Sequence, residues 1–156
     1  MKDTLISRRE FLKDIGMIGA GVLLSASPWL SAFSEVVETS GEKCRLAIIG
    51  PGSRGRFLMS FLVQNPKVEI VALCDIYQPS IEKALELAPK AKVYDDYRKI
   101  LEDKTVDAVL VATPLNSHCQ IVLDAFDAGK HVFCEKSIGF TMEECFRIYN
   151  KHISTE

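Results

Sequence analysis

A glycine-rich turn between Gly50 and Gly55 combines residue types that could hold a phosphate. Its sequence is G-P-G-S-R-G; an apolar run of strand character precedes it, and a stretch of helical character follows from Phe57. The first glycine permits a tight turn, Gly52 lets the backbone approach a pyrophosphate, and Gly55 lets the helix pack closely on the strand. Unpaired N–H groups and the partial positive charge of a helix N-terminus favour an anion there. Further side chains of the turn can add a hydroxyl donor or positive charge: Ser53, Arg54 and Arg56.

An acidic residue at the end of the next apolar run completes this pattern. The run at residues 68–74 ends at Asp75, twenty residues after Gly55, where a carboxylate can accept hydrogen bonds from an adenosine ribose. The alternative is that the glycines only make a turn and that Asp75 only caps a helix. A carboxylate would repel a 2′-phosphate, and no arginine occurs in the next three residues. The sequence therefore predicts a dinucleotide site that takes NAD rather than NADP.

A layered fold is needed to bring these residues together. Apolar runs of strand character alternate with stretches whose apolar residues recur every three or four positions, as they do in helices. This alternation predicts a doubly wound parallel sheet of the α/β class, a Rossmann fold, with about five strands. We expect Asn116 or Ser117 to cap the fourth helix, Gly129 to end it, and Thr141 with Glu144 to form a capping box on the last.

Two further clusters of polar residues follow strands of the predicted sheet, at the end where ligands bind. The first, T-P-L-N-S-H, occupies residues 113–118, and the second consists of Glu135, Lys136 and Ser137. His118 can lie at the edge of a cofactor, or it can be a capping or packing residue. Lys136 can polarise a reacting oxygen, or it can form a salt bridge with Glu135.

Composition narrows the classes of function. The chain is 47% hydrophobic with a net charge of −2, which is typical of one globular domain with a sizeable core. We expect no nucleic-acid partner, because no basic stripe is interleaved with aromatic residues. The five cysteines are odd in number and no pair has C-x-x-C spacing, so buried free thiols are favoured over disulfides or a metal site.

Residues 1–34 are predicted to be a signal segment. Residues 7–13 have the sequence S-R-R-E-F-L-K, precede a weakly apolar stretch that contains glycine, and resemble the twin-arginine export signal. A basic amphipathic helix start is the alternative. The apolar stretch is short for a membrane span of about 20 residues, although an amino-terminal anchor stays open. Residues 35–43 are then a linker and residues 44–156 the folded domain, and we expect a periplasmic or otherwise exported protein.

Together these motifs resemble the amino-terminal half of the Gfo/Idh/MocA oxidoreductases over roughly residues 44–152. The glycine turn, Asp75, T-P-x-N-x-H, A-G-K-H-V at 128–132 and E-K occur in the family's order and at its spacing. The resemblance implies NAD lying across the sheet, and it implies two groups of site residues. Beside the nicotinamide ribose and phosphates it places Thr113, Pro114, Asn116 and His118, and near the reacting end it places Glu135 and Lys136.

The resemblance also implies a reaction, which is hydride transfer between NAD and a sugar or cyclitol hydroxyl carbon, with Lys136 polarising the reacting oxygen. An NAD-dependent glycosidase of the same family is the second interpretation, favoured by the signal and by the arginine before the third glycine. Family members usually have proline after E-K, where this chain has Ser137. They also continue into an α/β domain that supplies most of the substrate pocket.

The length of the chain therefore leads us to expect a truncated protein that is incomplete as a catalyst. A carbohydrate-like molecule would be its partner only once a carboxyl-terminal domain completed it. A third interpretation is a non-catalytic nucleotide-binding protein that associates with itself or with a separate second half.

Overall fold

The structure, a computed structural model, describes residues 43–155, with side chains up to residue 154. The predicted signal segment and the predicted linker, apart from Lys43, lie outside these residues. Over the described range, no helix combines the length and the apolar character that crossing a membrane requires.

Strands and helices alternate along the described chain. The strands are β1 (Cys44–Ile49), β2 (Val68–Cys74), β3 (Lys92–Tyr94), β4 (Ala108–Val111) and β5 (His131–Cys134). The helices are α1 (Ser53–Leu62), α2 (Gln78–Leu85), α3 (Tyr97–Glu102), α4 (Leu115–Asp127) and α5 (Met142–Thr155). All strand pairs are parallel, and the order across the sheet is β3-β2-β1-β4-β5. The predicted doubly wound α/β sheet is confirmed, and its strand order reverses direction between β1 and β4.

Helices cover both faces of the sheet. Side chains of the central strand β1 point alternately to either face, so each face contributes to a separate hydrophobic cluster. Ile49 packs in a cluster with Ile121 of α4, whereas its neighbour Ile48 packs in a second cluster with Met59 of α1 and Ile81 of α2. Each of these side chains is at least 96% buried. Burial of one such side chain contributes about 1.5–3 kcal/mol, so these contacts hold the central strand between the two layers of helices.

Two predicted helix-boundary signals are confirmed. Glu144 donates its N–H to Thr141 Oγ1 at 3.2 Å, and Thr141 donates its own to Glu144 Oε2 at 3.3 Å, which is the capping box of α5. Gly129, with φ +67°, donates to the Phe126 carbonyl at 3.0 Å just after α4 ends. A residue in this left-handed conformation closes the helix, as a glycine does with little strain.

The predicted cap of α4 is wrong. Pro114 is the N-cap residue, so Asn116 and Ser117 lie inside the first turn of the helix. A proline fits this position because the first N–H groups of a helix have no acceptor within the helix, and its missing N–H is therefore not needed. The Ser117 hydroxyl instead lies 2.7 Å from both Thr113 Oγ1 and the Pro114 carbonyl oxygen.

All five cysteines are free, but only part of the prediction of buried thiols holds. Cys74 and Cys119 are buried, Cys134 and Cys145 are half-buried, and Cys44 is exposed. Cys44 is the first residue of β1, at the rim of the sheet, where the covering helices leave it open to solvent. Burial raises the pKa of the Cys74 thiol to about 11, so this thiol stays protonated at neutral pH.

Candidate functional site

The carboxyl ends of β1, β2 and β4 enclose a crevice of about 680 Å³ at the point where the strand order reverses. Gly50 donates its N–H to the Cys74 carbonyl at 2.8 Å, which places the glycine turn directly beside the end of β2. The glycine turn and the acidic residue after β2 therefore share one crevice. Half of the twelve predicted site residues line it: Gly50, Gly52, Asp75, Thr113, Pro114 and Asn116.

Each glycine of the turn has a different steric surrounding. Gly50 has φ +84°, and a Cβ there would lie 2.7 Å from the backbone nitrogen of Thr113. A Cβ on Gly55 would lie 2.5 Å from the Gly50 carbonyl oxygen, so α1 packs directly on the turn. A Cβ on Gly52 would meet nothing within 4 Å. The first and third positions are thus closed by protein, whereas the second opens into space that a pyrophosphate fits.

The start of α1 is free to receive an anion. Gly52 is the N-cap residue, and none of the described side chains caps this helix. The first N–H groups of α1 are therefore available to a ligand, and the helix dipole adds partial positive charge at the same place. These features fit the phosphates of a dinucleotide.

Asp75 lies where a ribose could reach it. Its Oδ1 accepts the Tyr77 N–H at 2.9 Å, whereas Oδ2 has no hydrogen-bond partner among residues 43–155. The N-cap residue of α2 is Tyr77, so Asp75 precedes the cap and leaves one oxygen free. That oxygen can accept a hydrogen bond from a ribose hydroxyl.

Arg54 and Glu135 form an ion pair away from the crevice lining. Arg54 Nε donates to Glu135 Oε1 at 2.7 Å, and Glu135 Oε2 accepts the Lys136 N–H at 3.2 Å. The Glu135 side chain is only 9% exposed, whereas that of Arg54 is 55% exposed. The hydrogen bond from Arg54 lowers the pKa of Glu135, so its carboxyl is ionised at neutral pH. The alternative of a salt bridge between Glu135 and Lys136 is wrong, because Arg54 takes that place.

His118 is buried between two backbone carbonyls. Its Nδ1 lies 2.8 Å from the Ser137 oxygen and its Nε2 lies 2.8 Å from the Thr113 oxygen. The residue is 2% exposed and does not line the crevice. A neutral imidazole has one N–H and can donate to only one of these carbonyls, whereas an imidazolium can donate to both. The buried position of His118 agrees with the alternative that this histidine is a packing residue.

Three other predicted residues also lie outside the crevice lining. Ser53 is exposed in the first turn of α1, and Gly55 is buried beneath it. Lys136 is exposed just after β5 and makes no ion pair within residues 43–155. The structure therefore leaves the Lys136 ammonium free while its neighbour Glu135 is fixed.

The A-G-K-H-V motif lies at the opposite end of the sheet from the crevice. Lys130 Nζ donates to the carbonyl oxygens of Asp103 and Val106, both at 2.8 Å, and these residues precede β4. His131 then begins β5. In this chain the lysine of the motif joins two loops and has no contact with the candidate site.

Tyr97 of α3 is a crevice residue that the sequence did not reveal. Its hydroxyl donates to Asp124 Oδ2 at 2.6 Å, and the residue lines the crevice together with Ile121. Burial, with the hydrogen bond to Asp124, raises the pKa of Tyr97 to about 12, so the phenol is neutral. The helical spacing predicts only that Tyr97 points inward, and no sequence signal separates a core position from the floor of a crevice.

Comparisons with known proteins agree with this geometry. Residues 44–155 match the model of the GFO_IDH_MocA oxidoreductase family, described as an NAD-binding Rossmann fold. A glycosyl hydrolase family 109 protein of Stenotrophomonas maltophilia is 33% identical, with 96% of this chain and 34% of that protein covered. An alpha-N-acetylgalactosaminidase of Shewanella oneidensis is 31% identical, with 92% and 36% covered.

Among solved structures, myo-inositol dehydrogenase from Lactobacillus casei, in complex with NAD(H) and myo-inositol, is 34% identical with a TM-score of 0.68. The match covers 72% of this chain and 34% of that one. The chain thus spans about a third of the length of the relatives it matches. From the family match, the strand order and the shared crevice we conclude that this chain belongs to the Gfo/Idh/MocA oxidoreductase family and carries its NAD-binding Rossmann domain.

Proposed function

We propose that this chain holds NAD for an enzyme that transfers hydride to or from a hydroxyl carbon of a sugar or cyclitol. The observation that carries the proposal is the crevice, in which the glycine turn, Asp75 and residues 113–116 meet at the switch point of the sheet. The likeness to a myo-inositol dehydrogenase supports a polyhydroxylated substrate. NAD, when bound, supplies the hydride chemistry, and the protein supplies position and charge.

The roles of the side chains follow from their places around the crevice. The uncapped start of α1 and the open space at Gly52 would receive the pyrophosphate. Asp75 would accept the ribose hydroxyls and repel a 2′-phosphate, which favours NAD. Residues 113–116 would form the opposite wall. Lys136 would place positive charge at the reacting oxygen, where negative charge develops as the hydroxyl loses its proton.

A glycosidase that uses NAD is the second candidate. Its support is that the curated relatives covering 92–96% of this chain carry the names glycosyl hydrolase family 109 protein and alpha-N-acetylgalactosaminidase. The G-x-G-x-R-G form of the turn is in keeping with that branch. The two candidates share the cofactor crevice and differ in net outcome. A dehydrogenase accumulates NADH, whereas a glycosidase of this kind releases free sugar with no net change in NADH.

We also propose that the protein is exported by the twin-arginine route, with S-R-R-E-F-L-K as its signal. This route carries folded proteins, often with a bound cofactor. It would suit a domain that has to acquire NAD before it leaves the cytoplasm, because free dinucleotide is scarce outside.

Isothermal titration of the 156-residue chain with NAD tests the first part of the proposal. We expect saturable binding with one site per chain, and weaker binding of NADP. Undetectable NAD binding to the folded chain would overturn it. Incubation of the protein with NAD and either myo-inositol or an N-acetylgalactosaminide then separates the two candidates. NADH formation identifies the dehydrogenase, and free sugar without NADH identifies the glycosidase.

A further inference from the structure

The short loop that carries Lys136 is attached on both sides to other parts of the site. We infer that Arg54 and His118 are positioning residues, which hold residues 135–137, and with them Lys136, in place beside the crevice. The inference rests on the proposed role of Lys136 and adds two residues that act through it. The resemblance assigned His118 to the cofactor directly, so the two roles make different predictions.

The first attachment joins elements on either side of β4. Arg54 lies in the first turn of α1, which follows β1, and Glu135 follows β5, while β4 lies between β1 and β5 in the sheet. One oxygen of Glu135 receives Arg54 Nε at 2.7 Å, and the other receives the Lys136 N–H at 3.2 Å. The carboxylate is almost fully buried and therefore requires a charged partner to stay in place. Arg54 thus fixes the carboxylate that in turn fixes the Lys136 backbone.

The second attachment lies on the other side of Lys136. The buried His118 ring links the Ser137 carbonyl to the Thr113 carbonyl, with 2.8 Å on each side. Thr113 belongs to the crevice wall after β4. With its N–H on Nδ1, the ring donates to the Ser137 carbonyl and ties the residue that follows Lys136 to the first turn of α4, directly after the crevice wall.

These two attachments explain how an exposed lysine can have a defined position. Glu135, before Lys136, is bound to the first turn of α1, and Ser137, after it, contacts the His118 ring of α4, while the Lys136 ammonium has no ion-pair partner in the described part of the chain. A reacting group held through its backbone by neighbours is preorganised and still free to meet substrate. Loss of either attachment should loosen the loop and leave the phosphate and ribose contacts intact.

Amide hydrogen exchange of the ¹⁵N-labelled 156-residue chain, without ligand, tests the attachments. We expect His118→Gln and Arg54→Gln each to speed exchange of the Lys136 amide about tenfold or more, because each removes a buried hydrogen bond. The Ile48 amide in β1 reports global opening and should change much less. Exposed residues supply the controls, His131→Gln and Arg98→Gln, which should leave the Lys136 amide unchanged.

A matched pair of substitutions separates attachment from simple packing. The amide nitrogen of asparagine can take roughly the place of imidazole Nδ1, and that of glutamine the place of Nε2. His118→Asn should therefore keep the bond to Ser137 and slow exchange at Lys136 relative to His118→Gln, which reaches only Thr113. The double variant Arg54→Gln with Glu135→Gln should speed exchange of the Lys136 amide by less than the product of the two single effects, because the two residues share one ion pair.

The inference would be overturned by equal exchange rates of the Lys136 amide in His118→Asn and His118→Gln. An unchanged exchange rate of this amide in Arg54→Gln would also overturn it. NAD titration of the same variants supplies the second measurement, in which positioning residues should change the affinity by less than tenfold. A loss of tenfold or more would identify direct cofactor contacts and would also overturn it. Failure of the unmodified chain to bind NAD would remove the proposed function alone, because the exchange experiment needs no ligand.

Discussion

At the scale of single residues, Asp75 has two oxygens with different tasks. Oδ1 accepts the Tyr77 N–H and shapes the local turn, whereas Oδ2 faces no protein donor in the described range. Asp75→Asn keeps an oxygen for the turn but removes the charge. We expect this change to weaken NAD binding about tenfold, since hydrogen bonds to charged groups contribute about 1.5–3 kcal/mol.

The same substitution should narrow the preference for NAD over NADP, because a neutral amide no longer repels a 2′-phosphate. Titration of both nucleotides checks this, with Asp127→Asn as a control on an exposed aspartate outside the crevice lining. Unchanged NAD affinity in the Asp75 variant would remove this residue from the binding site.

Gly52 and Gly55 form a second matched pair. A Cβ at Gly52 meets nothing within 4 Å, so Gly52→Val should lower the free energy of unfolding by no more than about 1 kcal/mol, the cost of an apolar residue at an N-cap, while blocking the space for phosphate. A Cβ at Gly55 would lie 2.5 Å from a backbone oxygen, so Gly55→Ala should destabilise the fold by about 1–3 kcal/mol. Urea denaturation measures the stability change and NAD titration the loss of binding. Normal NAD affinity in Gly52→Val would show that the phosphates lie elsewhere.

At the scale of helices and strands, an ion pair joins the starts of β1 and β4. Arg45 donates to Asp107 Oδ1 at 2.6 Å and to Oδ2 at 3.0 Å, and these hydrogen bonds lower the pKa of Asp107 to about 2. A lowered pKa in the folded state means that the contribution to stability is full above the unfolded pKa, near 4, and is lost as the pH falls towards 2. Asp107→Asn should therefore destabilise the chain at neutral pH and progressively less below about pH 4.

Both side chains of this pair are partly exposed, so the effect at neutral pH should be modest and should shrink in high salt. Urea denaturation of the two proteins from pH 7 downward measures the difference. A difference that does not depend on pH would assign the effect to packing.

The elements themselves could largely be predicted from the sequence, because strands and helices differ in the period of their apolar residues. The bounds of β2 at residues 68–74 agree with the expected ones. Which face of a helix is covered was harder to predict. The helical period predicts one apolar face of α5 made of Met142, Cys145, Phe146 and Tyr149. Met142, Phe146 and Tyr149 are all more than half exposed, whereas Ile148 is buried against Cys119 and Val122. Periodicity defines a face, but it does not identify the neighbour that covers it.

Part of the site could be predicted for a similar reason. Residues at the ends of parallel strands must meet at one edge of the sheet, so the glycine turn, Asp75 and residues 113–116 could be brought together from their positions alone. The pairing of Arg54 with Glu135 joins residues 81 positions apart, and the position of His118 depends on a backbone carbonyl 19 residues away. Such contacts depend on the direction of side chains in the folded chain, which motif spacing does not contain.

At the scale of the whole molecule, the proposed export depends on residues before the described domain. Replacing Arg8 and Arg9 with lysine should keep the positive charge yet abolish export, if the pair is recognised as a twin-arginine signal. Fractionation of bacterial cells that express the chain, followed by immunoblotting, measures the share outside the cytoplasm. The control is Arg98→Lys, on the folded domain, which should not change export. Export of the double-lysine variant in full would contradict the proposal.

The close approach of Gly50 to the Thr113 backbone has a kinetic consequence. Because these two turns leave no room for a single methyl group between them, they support each other, and the crevice is formed without a ligand. Nucleotide binding to a preformed crevice requires no slow opening step. Stopped-flow mixing with NADH should therefore give a single phase whose rate rises in proportion to nucleotide concentration without reaching a plateau.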